Sequence, residues 1–212
     1  MGLLLLFVSA PLILLAAAVI RLETRGNPFF SQRRVGLGGK QFTIFKLRGM
    51  YRDAAQRFPD LYDYSKYPDL SFYFHYENDP RVTRLGRFLR RTSIDELPNL
   101  VNVVLGQMSL VGPRPEIPDV LALYGKYAAP YLSVKPGLTC LSKISGRDRL
   151  TKEESIHLDL NYVNAMSFWL DIKILWITFV RVVKRRDAPP IRLQPISFDS
   201  KECETATVNE SD

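Results

Sequence analysis

The sequence predicts an α+β fold that is mostly helical, with a membrane helix at the N-terminus, a small β-hairpin and amphipathic helices at the membrane interface. Three observations predict it. Residues 1–20 carry no charged side chain, two β-like runs flank a glycine-rich stretch at 35–39, and residues 167–186 are apolar with a basic end. The 212 residues have room for one domain with an anchor and a tail. We place the membrane helix at 1–22, the globular domain at 23–186 and a polar, flexible tail at 187–212.

The overall charge indicates an anionic partner. The formal net charge of +7 and the pI near 9.5 suit a nucleic acid, an acidic lipid or a phosphorylated substrate. No helix-turn-helix, zinc or RNA-binding motif accompanies the charge, so we predict that nucleic acid is not a partner. Cys140 and Cys203 lie far apart without metal-ligand spacing, which predicts a reducing compartment and no disulfide framework.

The apolar N-terminal segment admits three interpretations. A signal peptide carries cations before its apolar core, and none precedes Leu3. A simple transmembrane helix needs about 20 apolar residues, and residues 3–20 are near that limit. Ser9 and Pro11 favour the third, a re-entrant helix that bends and exits on the side it entered, because proline kinks a helix interior. The cations between residues 21 and 40 predict a domain on the cytoplasmic side.

The first regular structure of the domain is a predicted hairpin over residues 29–34 and 41–48. We expect Phe42, Ile44 and Leu47 to pack inward and Lys46 and Arg48 to be exposed. The glycines between the runs lack the spacing of a phosphate-binding P-loop, so they indicate a turn. Residues 51–79 are irregular and rich in aromatic rings, which either stack on a sugar, lie at lipid headgroups or pack on the core.

Three helices are predicted further along the chain. Residues 83–91 form a short helix with a stripe of arginines, which is either a solvated face or a contact for lipid or substrate phosphates. A second helix spans about 95–105 and ends at a glycine. A third spans about 167–183, and its Trp169 and Trp176 share a face, as in a helix lying in a membrane interface.

Two adjacent carboxylates, Asp95 and Glu96, stand at the start of the second helix. Ser93 and Glu96 match the S-x-x-E capping box, which is a purely structural explanation. A carboxylate can also attack phosphorus, with cations and a hard metal such as Mg²⁺ neutralising the phosphoryl oxygens. Cations suited to that task are Lys46, Arg48 and Arg114, the last in a proline-rich loop. Helix capping and phosphoryl transfer both stay open at this point.

A series of motifs makes the chain resemble a known family. The motifs are F-S-Q-R-R-V-G at 30–36, F-K-L-R-G-M at 45–50, D-P-R-V-T at 79–83, S-I-D-E-L-P-N at 93–99, G-Q-M-S-L-V-G-P-R-P-E at 106–116, K-P-G-L-T at 135–139 and L-D-L-N-Y-V at 158–163. Over residues 7–186 the sequence resembles the bacterial sugar transferase family, the monotopic phosphoglycosyl transferases that start exopolysaccharide, O-antigen and glycoprotein glycan assembly.

The resemblance implies an enzyme at the cytoplasmic face of the bacterial inner membrane. It would transfer a sugar-1-phosphate from a UDP-sugar to a polyprenyl (undecaprenyl) phosphate through a covalent aspartyl intermediate, release UMP and use Mg²⁺. Carried over, Asp95 is the nucleophile, Glu96 the metal ligand and Arg114 a phosphate contact. The resemblance also implies substrate-binding or supporting roles for Lys46, Arg48, Arg147 and Asp159, an anchor kink at Ser9 and Pro11, and a matching Asp171 of open role.

Two departures from the family pattern stand out. The family usually shows G-L-W-Q-V or G-W-A-Q-V after P-G-I/L-T, whereas residues 140–144 here are C-L-S-K-I, so the donor sugar is not predicted. The family also usually has a basic stretch before its first helix, and here Pro11 follows only ten residues. The alternative hypothesis is a non-enzymatic, membrane-anchored basic scaffold that binds acidic lipids or a partner protein, with residues 93–96 as a helix cap.

Overall fold

The computed structural model describes residues 2–67, 69–70, 72, 79–146 and 149–184, so the predicted tail lies outside it. Its α-helices are α1 (Gly2–Glu23), α2 (Ala54–Arg57), α3 (Arg84–Thr92), α4 (Leu100–Val104), α5 (Pro118–Leu121), α6 (Ala128–Tyr131), α7 (Leu141–Ser145), α8 (Lys152–Asn164) and α9 (Phe168–Lys184). Its strands are β1 (Phe29–Val35), β2 (Gln41–Leu47), β3 (Ser109–Val111) and β4 (Gly137–Thr139). This arrangement confirms the predicted α+β fold that is mostly helical.

Helix α1 lies along the domain over its whole length. Gly2 at its start lies against Val103 of α4, and the Glu23 carboxylate at its end accepts a hydrogen bond of 3.1 Å from the Leu85 N–H of α3. The buried side of the helix contributes Ile13, Ala16, Ala17 and Ile20 to an apolar cluster with Leu47 and Leu89. Both ends of α1 therefore contact the same domain.

Helix α1 continues through Pro11 without a break. The Ser9 hydroxyl donates to the Leu6 carbonyl one turn earlier, at 3.2 Å. Among the described residues α1 is the helix long and apolar enough to cross a membrane, with 22 residues, or roughly 33 Å at about 1.5 Å per residue. The re-entrant bend at Pro11 stays a prediction.

Strands β1 and β2 form the predicted antiparallel hairpin, with Phe29 opposite Leu47 and Val35 opposite Gln41. Phe42, Ile44 and Leu47 are buried, as the alternation indicated. The prediction that Lys46 is exposed was wrong: its side chain is 18% exposed and faces an acidic residue of a neighbouring segment. Arg48 is also partly buried, against the end of α1.

Strands β3 and β4 pair in parallel at a close backbone contact. Ser109 lies opposite Gly137 and Val111 opposite Thr139. A Cβ atom on Gly112 would lie 2.4 Å from the carbonyl oxygen of Lys135, so only glycine fits there. The proline-rich loop that carries Arg114 therefore follows a short strand and lies against β4.

Helix α3 confirms the predicted basic helix and packs on the hairpin. The Thr83 side chain accepts a hydrogen bond of 2.9 Å from the Gly86 N–H and caps the helix. A Cβ atom on Gly86 would lie 1.9 Å from the carbonyl oxygen of Gly49, which follows β2 closely in the chain. The backbones of α3 and of the segment after β2 therefore touch.

The largest buried cluster lies around α5, α6 and α8. It contains Leu70, Phe72, Ile117, Val120, Tyr124, Tyr131, Ile156 and Leu160. Tyr64 and Tyr67 pack against it, which confirms the core-packing alternative for this part of the aromatic segment. The rings of Tyr73, Phe74 and Tyr76 lie outside the described residues.

Helix α9 packs on β3, β4 and α7 and presents aromatic side chains outward. The Ser167 hydroxyl accepts a hydrogen bond of 3.2 Å from the Leu170 N–H and caps the helix. Ile174 is fully buried, whereas Trp169 is 77% and Trp176 64% exposed. The Asp171 carboxylate accepts a hydrogen bond of 2.7 Å from the Tyr162 hydroxyl, which ties α9 to α8.

Candidate active site

The two acidic residues lie on a short 3₁₀ segment, Ile94–Asn99, between α3 and α4. The predicted continuous helix was wrong in this part, because only Leu100–Val104 is α-helical. Pro98 inside the segment has no N–H to donate to an α-helical ladder. The predicted stop was correct, since Gly106 has a left-handed φ of 72°.

Ser93 and Glu96 do not form a capping box. Ser93 has a left-handed φ of 56°, whereas a capping serine normally has extended backbone. Within the described part of the chain its side chain makes no capping hydrogen bond, and only its carbonyl accepts from the Glu96 N–H, at 3.2 Å. The structural explanation for this pair is therefore wrong, and the Glu96 carboxylate is turned toward cations instead.

Two asparagines fasten this segment to the hairpin. The Asn99 side-chain oxygen accepts from the Phe45 N–H at 2.9 Å, and the Asn102 amide donates to the Thr43 carbonyl at 2.7 Å. Both bonds satisfy backbone groups on the edge of β2 away from β1. This attachment places Lys46, the residue after Phe45, opposite Glu96.

Three cations surround the Glu96 carboxylate. The Lys46 ammonium lies 3.1 Å from Oε1, the Arg114 Nη1 lies 3.9 Å from Oε1, and the Lys143 ammonium forms an ion pair with Oε2. The Glu96 side chain is 13% exposed. Burial by itself would raise the pKa of Glu96, but the charges of Lys143, Lys46 and Arg114 outweigh it and hold that pKa well below its usual range. Glu96 is therefore ionised.

Asp95 has the opposite environment. It is buried, and among the described residues its Oδ1 has no hydrogen-bond partner. Burial, and then the negative charge of neighbouring Glu96, raise the pKa of Asp95 above its usual range. A buried, unpartnered carboxylate oxygen is unusual in a native structure and is often found at a catalytic position.

The cations and Glu96 line an open cleft of about 350 Å³, a volume that includes space open to solvent. Its lining residues are Arg34, Ile44, Lys46, Glu96, Asn99, Met108, Arg114, Pro115, Gly137, Leu138, Cys140 and Lys143. Four of these side chains are cationic and one is acidic, so the cleft is suited to bind an anion such as a diphosphate.

Asp159 joins three segments behind the cleft. Its carboxylate accepts hydrogen bonds of 3.0 Å from the Arg114 N–H, the Ser142 N–H and the Tyr131 hydroxyl. It is fully buried, and burial raises its pKa despite these bonds. The structure therefore gives Asp159 a positioning role: it holds the backbones that carry Arg114 and Lys143.

The remaining predicted site residues either lie away from the cleft or are outside the part of the chain that the structure describes. The Arg48 guanidinium donates a hydrogen bond of 2.6 Å to the Thr24 carbonyl. Arg48 is not one of the described residues that line the cleft. Ser9 and Pro11 lie within α1. Arg147 lies outside the described residues, so its predicted role stays a prediction.

Two of the four cations that line the cleft, Lys143 and Arg34, were not assigned a site role from the sequence. Arg34 belongs to the Q-R-R-V-G motif, and its guanidinium donates to the Pro115 carbonyl at 3.1 Å. Its place in that motif could have indicated a role in the site. Lys143 lies within the segment that departs from the family pattern, where its side chain replaces a glutamine. Its contact with Glu96, 47 residues earlier, depends on the tertiary structure.

The described side chains do not fit a resident divalent cation. No group of three or more His, Cys, Asp or Glu in the described ranges could hold a metal ion. Glu96, the predicted magnesium ligand, has both oxygens engaged by ammonium groups. Magnesium binds through one or two free carboxylates together with water and substrate phosphates. The magnesium requirement thus stays a prediction from the resemblance.

Comparison with known proteins gives a consistent result. The sequence profile of the family described as "Bacterial sugar transferase" matches residues 1–185. The chain is 46% identical over 154 residues, 72% of its length, to "Galactosyl transferase CpsE" of Streptococcus agalactiae. It is 42% identical over 198 residues, 87% of its length, to "Undecaprenyl-phosphate glucose phosphotransferase" of Komagataeibacter xylinus.

A third relative, from Xanthomonas campestris, is named "UDP-glucose:undecaprenyl-phosphate glucose-1-phosphate transferase" and is 38% identical over 186 residues, 84% of this chain. The matches cover 34%, 35% and 36% of the three relatives. The chain therefore spans about a third of the length of these relatives.

Proposed function

The chain belongs to the bacterial sugar transferase family, and from this membership we propose that it transfers a sugar-1-phosphate from a UDP-sugar to undecaprenyl phosphate, as the first membrane step of glycan assembly. The names of the relatives from Komagataeibacter and Xanthomonas support this reaction class. The observation that carries the proposal is the buried, unpartnered Oδ1 of Asp95, the residue directly before Glu96 in the chain. Glu96 lines the cationic cleft, whereas Asp95 is not among the described residues that line it.

The proposed reaction has two displacements at one phosphorus atom. An oxygen of Asp95 first bonds to the sugar-side phosphorus of the donor, the bond from that phosphorus to the bridging oxygen breaks, and UMP leaves with that oxygen and its electron pair. An oxygen of the lipid phosphate then attacks the same phosphorus. The bond from the Asp95 oxygen to phosphorus breaks, and the carboxylate is restored. Because a lipid phosphate is already ionised at neutral pH, the second step requires no base.

The electrostatics of the site support this scheme. Lys46, Arg114 and Lys143 can neutralise the phosphoryl oxygens of the donor and then of the lipid. Their excess over Glu96 leaves positive charge available to an incoming anion. Burial raises the pKa of Asp95, so its ionised form is poorly solvated and the more ready to attack.

A membrane location on the cytoplasmic side is part of the proposal. The outer side of α1 exposes apolar side chains such as Leu3, Leu4 and Phe7, and α9 exposes Trp169 and Trp176. Exposed apolar and tryptophan side chains of this kind are suited to a lipid interface. The cations that follow α1 favour the cytoplasmic side, where a soluble nucleotide-sugar would reach the cleft.

Trapping of the covalent intermediate tests the proposal. Purified full-length protein is mixed with UDP-sugars labelled at the sugar-side phosphate, without lipid acceptor, and quenched in acid. We expect UMP release and label on the protein with one productive donor, lost in Asp95→Asn and retained in Asp119→Asn, which changes an exposed carboxylate. The label should be removed by hydroxylamine, which cleaves acyl-phosphates.

Two results would count against the proposal. Transfer to the lipid with intersecting double-reciprocal lines and no trapped label would rule out the covalent route. No UMP release from any donor, with retained binding to vesicles of acidic lipid, would favour the scaffold hypothesis instead.

A further inference from the structure

Lys143 occupies the side of Glu96 that a metal ion would need. Its ammonium pairs with Oε2, while Lys46 is paired with Oε1. Its side chain is 11% exposed, so the pair is shielded from bulk water. A divalent cation approaching Oε2 would have to displace this ammonium, and would meet the positive charge of Lys46 and Arg114 as well.

The Lys143 backbone is fixed on both sides. The N–H of the preceding Ser142 donates to Asp159 at 3.0 Å, and the carbonyl of Lys143 accepts from Arg181 of α9 at 3.4 Å. Leu141 and Ile144 of the same helix are buried in the cluster against α8 and α9. The helix that carries Lys143 is therefore fixed on both sides, and it holds the Lys143 ammonium near Glu96.

Lys143 lies in the segment, residues 140–144, that departs from the usual family pattern. The usual motif has a glutamine at this position, and an amide carries no net charge that could compensate the charge of Glu96. A lysine supplies a permanent positive charge at the same place. The charge that a metal would contribute to the cleft is thus partly present in the chain itself.

We propose that the Lys143 ammonium stands in for a divalent cation on Glu96, so that this protein has a weak metal site and depends little on Mg²⁺. Lys143 is then a positioning residue for Glu96, and its ammonium also faces the cleft that would hold the donor diphosphate. This inference rests on the proposed function, but its main test does not require turnover.

Metal binding is measured directly on the full-length protein in nanodiscs of phosphatidylcholine, without donor or acceptor, by titration with Mn²⁺ and detection of free ion by electron paramagnetic resonance. We expect no saturable site below millimolar Mn²⁺ in the wild type. Lys143→Gln and Lys143→Met should bind at least about ten-fold more tightly, because Oε2 is released. Glu96→Gln combined with Lys143→Gln should lose the gained site.

Matched variants separate the charge from its position. Lys143→Arg keeps a cation on Glu96 and should behave as the wild type. Lys40→Gln removes an exposed cation from the hairpin turn and should also leave metal binding unchanged. Equal, tight binding by the wild type, Lys143→Gln and Lys143→Met would overturn the inference.

The transfer rate gives the second readout. Wild-type transfer should fall less than about ten-fold in excess chelator, whereas that of Lys143→Gln should become strongly dependent on Mg²⁺. If the wild type transfers sugar-phosphate but loses all activity in chelator, the inference fails and the proposed function stands. If no donor is turned over, the proposed function fails, and the Mn²⁺ titration still decides the occupancy of Glu96.

Discussion

Asp95 and Glu96 are adjacent in the chain but have opposite electrostatic environments. Glu96 is surrounded by Lys46, Arg114 and Lys143, whereas Oδ1 of Asp95 is buried without a hydrogen-bond partner in the described structure. The pKa of Glu96 is therefore lowered and the pKa of Asp95 raised. Because the two pKa shifts have opposite directions, the charges of Asp95 and Glu96 are expected to affect the stability of the fold in opposite directions.

Asp95→Asn should stabilise the protein at neutral pH while it abolishes transfer. Because the folded-state pKa of Asp95 is raised, its ionised form costs stability above that pKa. We expect a gain of roughly 0.5–2 kcal/mol in the free energy of unfolding, as for other relieved functional sites. The gain should decrease once the pH falls below the folded-state pKa, because Asp95 is then protonated in the folded protein, and should vanish below the ordinary carboxyl pKa, where the unfolded chain is protonated as well. Thermal unfolding across pH measures it, with Asp119→Asn as the exposed control.

Glu96→Gln should have the opposite effect. The lowered pKa of Glu96 means that its charge stabilises the fold at neutral pH, a contribution lost as the pH falls through its folded-state value. Removing it leaves Lys46 and Lys143 buried without their counter-ion, at a cost of about 3 kcal/mol. Equal Tm values for Asp95→Asn and Glu96→Gln at neutral pH would contradict this account.

The site was only partly predictable at the level of single residues. Asp95, Glu96, Arg114 and Lys46 all lie in specific motifs. Of these, Glu96, Arg114 and Lys46 are among the described residues that line the cleft, and Asp95 is not. Asp159 also lies in a motif, but only its hydrogen bonds show that it holds Arg114 and Ser142 in place. The contact of Lys143 with Glu96 was not predicted, because residues 47 positions apart share no local sequence pattern.

At the scale of elements, one contact controls how α3 enters the fold. Gly86 of α3 touches Gly49, and the helix ends at Ser93, directly before the segment that carries Asp95. A shift of α3 would therefore move the acidic segment relative to β2. The attachment of Asn99 to the Phe45 N–H would be the first bond affected.

Gly86→Ala should destabilise the protein and lower its transfer rate. The added Cβ would lie 1.9 Å from the Gly49 carbonyl oxygen, so the helix must move away. Such overpacking costs about 1–3 kcal/mol, and at roughly 2–4 °C per kcal/mol it should be visible in the Tm. Gly49→Ala is the matched control, because its Cβ would lie 3.5 Å from Gly86 Cα, an ordinary contact. An unchanged Tm in Gly86→Ala would show that the contact is not tight.

The regular elements were predictable where a pattern extends over several residues. The alternation of the hairpin, the threonine cap of α3 and the serine cap of α9 all have local causes. Strands β3 and β4 are three residues long and too short for any periodicity to emerge. Most of the 3₁₀ segment at Ile94–Asn99 was predicted as part of an α-helix from about residue 95, but Pro98 inside it has no N–H for an α-helical hydrogen bond.

For the whole molecule, α1 is the element that decides the topology. Gly2 lies against Val103 and Glu23 against Leu85, so both ends of the helix touch the domain. A helix that left the domain to cross the bilayer would lose the contact at Gly2. The buried Ile13, Ala16 and Ile20 would also be separated from Leu47 and Leu89.

A designed disulfide tests this packing in membranes. An ideal Cβ on Gly2 lies 3.7 Å from the Val103 Cβ, within the range of about 3.5–4.5 Å for disulfides. Gly2→Cys with Val103→Cys should therefore cross-link on mild oxidation of bacterial membranes, detected by mass spectrometry of the joined peptides. Gly2→Cys with Lys40→Cys, which places the second thiol on the exposed hairpin turn, should not. An uncross-linked Gly2/Val103 pair would indicate that the helix departs from the domain.

If the protein works at a bilayer as proposed, the outer faces of α1 and α9 also restrict its movement to the plane of the membrane. A chain held at the bilayer through Trp169 and Trp176 diffuses in a plane, and a polyprenyl phosphate reaches its cleft from within that plane. Encounters then follow the mole fraction of the carrier among its neighbouring lipids, and not its amount per volume of cell. The nucleotide-sugar diffuses to the cleft through solution. In the proposed reaction, the encounter rate of the donor therefore depends on its concentration per volume, and that of the lipid acceptor on its mole fraction in the membrane.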